Sequence, residues 1–153
     1  MNRRIFLKFA TGAGVVAVAA PRALRALTAP PIPMTVYKTP TCGCCHSWIG
    51  HVEKNGFKVK VVDMADLTPI KDSAGVPEKL DSCHTALVGA YVVEGHVPAD
   101  LIHKMLREKP AIAGLAVGGM VVGSPGMEQG TVKLPYDVTA FTRDGKTSVY
   151  ARR

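Results

Sequence analysis

The first 26 residues contain no acidic side chain, and only one cysteine lies outside positions 42–45. The first absence localises the basic excess. Of the 19 basic residues, Arg3, Arg4, Lys8, Arg22 and Arg25 fall in this stretch, which leaves 14 against the chain's 12 acidic ones. With so small a balance and no basic stripe interleaved with aromatics, nucleic-acid binding is excluded. The apolar run "FATGAGVVAVAA" has about a dozen residues, against the ~20 that a spanning helix needs. It is rich in Gly and Ala, and no cysteine follows it to carry a lipid. The chain also lacks internal repeats and low-complexity segments, which excludes a solenoid.

What stands in the N-terminal segment is the twin-arginine pattern "NRRIFLK", then the apolar run, then "PRALRA". This order predicts a removable export address over residues 1–26, cut after Ala26, and a periplasmic destination where disulfides are allowed. "TAPPIP" reads as an extended leader over 27–33. Residues 34–153, long enough to bury a core without covalent staples, form one domain. No membrane association is expected after cleavage.

"MTVYK" alternates and reads as a strand. In "CCHSWIGHVEKNG", Cys45, Trp48, Ile49 and Val52 make a helical stripe, and Gly56 supplies the stop. "FKVKVVDM" predicts a second strand, and residues 66–80 predict short helical pieces. "TALVGAYVVEG" predicts a hairpin around Gly89 and Ala90, and "PADLIHKMLREK" a helix ended by Pro110. Parallel strands linked by a helix, then an antiparallel hairpin capped by a helix, predict an α/β, thioredoxin-like fold with a mixed sheet and flanking helices. "PAIAGLAVGGMVVGSPGMEQG" reads as a Gly/Met-rich loop, too long to be an idle connector. The C-terminal stretch predicts a β-hairpin turning at Asp144-Gly145.

The sulfurs carry the chemistry. Cys42 and Cys45 have the spacing of a redox pair at a helix N-terminus, where the dipole and free N–H groups favour thiolate. Thiolate is both nucleophile and metal ligand, so the spacing alone leaves a disulfide framework, a dithiol enzyme and a soft-metal site open. Cys44 is a hazard to a dithiol enzyme and a third ligand to a metal. Cys83, in "DSCHTA", occupies the loop entering the third strand, where a dithiol enzyme of this fold carries a proline, and no proline is present. A fourth sulfur thus faces the other three. Four thiolates with thioethers nearby favour Cu(I), and four thiolates alone also suit zinc.

His84, beside Cys83, and Met120 and Met127, in the glycine-rich loop, are the candidates to complete the ligand set. His96 lies on the same rim and ranks behind His84, and His46, four residues after Cys42, is on the side that reaches the site. A structural hydrogen bond is expected of His51, a solvent-facing position of His103, and core packing of Trp48.

"TPTCGCCHSWIGHVEKNGF", "VPEKLDSCHTALVGAYVVEGHVPADLI" and "GLAVGGMVVGSPGME" together resemble the periplasmic copper-resistance family of CopG over roughly residues 34 to 150. The resemblance implies a thioredoxin-like protein that binds copper at a cysteine-bridged, multi-copper centre. Its motif maps onto Cys42, Cys44, Cys45 and Cys83. The expected role is to sequester Cu(I) or hand it to an exchange partner in the periplasm. Two rivals predict different chemistry: a thiol–disulfide oxidoreductase using Cys42 and Cys45, and a zinc-stabilised structural module. Catalysis is not the favoured reading, although a copper-linked redox activity would join the two classes.

Overall fold

The computed structural model describes residues 30–153, so the twin-arginine segment and the expected cut after Ala26 lie outside the described residues. β-branched and apolar residues recur at alternate positions of β1 (Ile32–Lys38), whose buried residues are Met34, Val36 and Lys38. The strand therefore takes in the last two residues of the expected leader. The chain then turns through Cys42 into α1 (Gly43–Lys54), which buries Cys45, Trp48, Ile49 and Val52 as the stripe predicts. It returns as β2 (Phe57–Asp63), parallel to β1.

Next come α2 (Thr68–Ala74), a single 3-10 turn at Glu78–Leu80, and the hairpin of β3 (His84–Val88) and β4 (Tyr91–Gly95). α3 (Ala99–Glu108) follows. The parallel pair linked by a helix, followed by an antiparallel hairpin and a helix, is the connectivity expected of the sequence.

The start of the glycine-rich stretch departs from its reading as a loop, and the part that carries Met120 and Met127 keeps it. Gly114–Val117 form β5, parallel to β4, with all four residues buried. A strand covered on both faces shows no alternation, and small residues give no β-branched signal. Gly114 is required there, because a Cβ would meet the Val92 backbone and the Phe141 ring. The C-terminal hairpin consists of β6 (Asp137–Phe141) and β7 (Thr147–Arg152).

The result is a mixed α/β fold on one seven-stranded mixed sheet, in the order β2-β1-β3-β4-β5-β6-β7. α1 and α3 cover one face, where Trp48, Ile102 and Met105 pack on Val36, Ala86, Val93 and Leu115. Ala74 at the end of α2, with Val76 just beyond it, packs on the other face against Val92, Ala116 and Phe141. Among the described residues no helix is long and apolar enough to cross a membrane.

Candidate metal centre

Antiparallel register sets the site. β3 runs against β1 with His84 opposite Lys38, so the entry to β3 lies beside the exit from β1. Cys83 precedes the first of these residues and Cys42 follows the second by one turn. That arrangement brings together sulfurs nearly 40 positions apart in the chain.

Cys42 caps α1, its sulfur accepting from the Cys45 N–H at 3.3 Å. Cys42 and Cys45 are joined by a disulfide with Cα atoms 5.4 Å apart, and Cys44 and Cys83 are free thiols. The pairing that the redox reading requires is therefore present, and the third thiol stands close to it. Cys44 Sγ lies 3.5 Å from Cys42 Sγ and 3.7 Å from Cys83 Sγ. All four sulfurs lie within 4.8 Å of one another. The four-thiol form of this cluster is two electrons and two protons more reduced than the disulfide form.

Histidine nitrogens adjoin the same sulfur from the buried side. Cys83 Sγ lies 3.4 Å from His84 Nδ1 and 3.1 Å from His96 Nε2. Both rings are fully buried, and His84 packs between Trp48, with centroids 4.4 Å apart, and His96, at 5.1 Å. Burial drives His84 down to about 3, with His96 and Lys71 adding to the fall. It lowers His96 as well, so both rings are neutral near pH 7. Burial pushes the Cys83 thiol up to about 12, reinforced by Cys44 beside it. A metal ion must therefore displace that proton to bind.

The loop bearing Cys83 is clamped from below. Lys71 Nζ donates to the Ser82 carbonyl at 3.0 Å and to the Glu94 carboxylate. That carboxylate also accepts from the Ser82 N–H and the Thr85 hydroxyl, each at 2.7 Å. Both backbone groups of the residue before Cys83 are thus held by charged partners, and such bonds are among the stronger ones. Reading the sequence for sulfur and imidazole missed this pair, because Lys71 lies on one element and Glu94 on another.

The glycine-rich segment docks over the opposite side. The Pro125 carbonyl accepts from His96 Nδ1 at 2.8 Å, and Gly126 lies against the backbone of Cys44 and Trp48. Met127 follows, half-buried, its N–H donating to the Ser124 carbonyl. Met120 is exposed, but its neighbour Gly119 is tied to the Cys83 loop. The Gly119 N–H donates to the Asp81 carbonyl at 2.9 Å, and the Ser82 hydroxyl donates to Gly119 O at 2.5 Å.

The remaining histidines divide. His46 is exposed, with Nδ1 donating to the Cys42 carbonyl at 2.9 Å. His51 Nε2 accepts from the Ala99 N–H at 3.1 Å, satisfying one free donor at the start of α3. His103 is half-buried rather than solvent-facing, stacked on Phe57 and donating to the Asn55 carbonyl. Trp48 is core, its Nε1–H donating to the Val97 carbonyl at 2.9 Å. His96, placed behind His84 in the sequence reading, stands as near to the Cys83 sulfur as His84 does. Its signal was the pattern "EGHVP", a histidine at the strand end facing the Cys83 loop.

Comparison with known proteins supports this region in particular. The family described as "Protein of unknown function, DUF411" matches residues 80–127, which carry Cys83, both buried histidines and the glycine-rich segment. Two solved structures titled copper resistance protein CopG, forms 1 and 2, are each 47% identical to the chain. Each alignment covers 80% of this chain and 98% of the other, with a TM-score of 0.76. No curated protein matches.

Proposed function

The chain belongs to the CopG family of copper resistance proteins, and from that premise we propose that it protects against copper stress by holding Cu(I) in its cysteine cluster. The observation that carries this reading is the convergence of four sulfurs from a helix tip and a distant loop. Thiolate softness matches monovalent copper, and bridging thiolates let four sulfurs hold more than one ion. In this reading Cys42, Cys44, Cys45 and Cys83 are the thiolate ligands after the disulfide is reduced. His84 supplies nitrogen from the buried side, and Met120 and Met127 supply thioethers from the glycine-rich segment. The twin-arginine segment supports action in the periplasm, with copper ions and a copper-exchange protein as partners.

The test is metal content. Protein purified under reducing conditions from copper-fed cells is expected to carry at least one copper per chain, and Cys83→Ser to lose most of it. Less than one copper, unchanged by Cys83→Ser, defeats the proposal. Zinc bound in protein from unsupplemented cells, with unfolding on chelation, would favour a zinc-stabilised module instead.

The closed Cys42–Cys45 disulfide favours a second reading, thiol–disulfide exchange, with Cys42 as nucleophile and Cys45 as resolving thiol. Reduction of insulin disulfides that survives both Cys44→Ser and Cys83→Ser would support that reading over the first.

A further inference from the structure

Two sets of convergent metal-binding side chains occur among the described residues, and they share Cys83. The second is Cys83, His84 and His96, whose donor atoms lie within 4.8 Å of one another. It includes neither partner of the Cys42–Cys45 disulfide. Oxidation that removes two ligands from the four-sulfur set therefore leaves this one whole.

Its geometry is that of a prepared site. With metal–sulfur and metal–nitrogen bonds of about 2.3 and 2.0 Å, neighbouring donors of a tetrahedral centre stand roughly 3.5 Å apart. The Cys83 sulfur stands 3.4 Å from His84 Nδ1 and 3.1 Å from His96 Nε2. His96 Nδ1 faces only a carbonyl, Pro125 O, so it carries the proton, and Nε2 turns its lone pair to the sulfur. Metal-bound histidines are oriented in this way by a carbonyl on the far nitrogen. His84 is fully buried, and its Nε2 has no hydrogen-bond partner. The one side-chain hydrogen-bond partner of the ring is the Cys83 sulfur, and a buried imidazole nitrogen without a well-formed partner is costly.

We infer that, while the Cys42–Cys45 disulfide is closed, Cys83, His84 and His96 bind one redox-inert, borderline divalent cation, Zn(II), in a mixed nitrogen–sulfur site. Two imidazoles and one thiolate are harder than four thiolates, which moves the preference from monovalent toward divalent ions. Binding releases the Cys83 proton to solvent and involves no electron transfer. One coordination position stays open to an exogenous ligand, because the set supplies three donors. The redox state of the helix-tip pair then decides which class of ion the shared sulfur serves. The inference shares Cys83 with the copper reading, but it stands or falls on different measurements.

The test uses the purified oxidised protein, checked to have two free thiols per chain, and titrates it with Co(II) as a spectroscopic stand-in for Zn(II). One Co(II) per chain is expected, with a thiolate-to-cobalt charge-transfer band and contact-shifted proton resonances from two imidazoles, those of His84 and His96. Added Zn(II) should displace the cobalt. His96→Ala should weaken Co(II) binding by at least about tenfold. A wild-type spectrum with no thiolate band, or with shifted resonances belonging to His46 or His103, overturns the inference even if the variant fails to fold. Failure of the reduced protein to hold Cu(I) would defeat the copper reading and leave this one intact.

Discussion

Cys83 and His84 are neighbours in the chain, and burial acts on both by disfavouring charge, with opposite effects on their proton affinity. The thiol keeps its proton and the imidazole refuses one. For His84 the consequence is a pH dependence of folding. Its imidazole titrates at about 3 in the fold and near 6.5 when exposed. Between these values the unfolded chain binds the extra proton and the native one does not. Stability from this group is therefore fully present above pH 6.5 and falls as pH drops toward 3, by up to about 1.4 kcal/mol per pH unit. Urea midpoints of the metal-free protein between pH 7 and 4 should fall with acid, and less steeply in His84→Gln. Parallel curves for the two proteins would remove His84 as the cause.

At the scale of elements, the glycine-rich segment behaves as a docked strap because Gly126 permits close approach. Its φ of +83° lies in the left-handed region, and a Cβ there would stand 2.6 Å from Trp48 N and 3.1 Å from Cys44 O. Gly126→Ala should therefore cost roughly 1–3 kcal/mol. It should also disturb the His96 imidazole resonances, because the adjacent Pro125 carbonyl holds that ring. A variant with wild-type denaturation and unchanged His96 signals would show that the strap is not held against α1. The Lys71–Glu94 pair acts from the other side, so the Cys83 loop is fixed between an ionic clamp and the strap above it.

For the molecule as a whole, the cluster joins parts of the chain that folding alone brings together. Metal bound by Cys83 and by the tip of α1 ties β3 to α1 in the native state and finds no such site in the unfolded chain. Loading the reduced protein with Cu(I) should therefore raise Tm in proportion to RT ln(1 + [L]/Kd), about 2–4 °C for each kcal/mol in a chain of this size. Calorimetry of loaded and metal-free protein checks this, and Cys83→Ser should show a smaller gain. Equal gains would mean that the metal does not bridge the two elements.

The sequence by itself determined the local features: the stripe of α1, the hairpin turns at Gly89-Ala90 and Asp144-Gly145, and the sulfur cluster at 42–45. Each depends on neighbours within a few positions, which periodicity and turn chemistry report directly. Cys83 was legible as a partner of that cluster only through the expected order of strands. Tertiary structure decided the rest. β5 was hidden because burial on both faces erases alternation. The approach of His96 to Cys83 and the Lys71–Glu94 clamp depended on side chains from separate elements meeting across the sheet. Such meetings follow from strand register and packing, and spacing along the chain does not encode them.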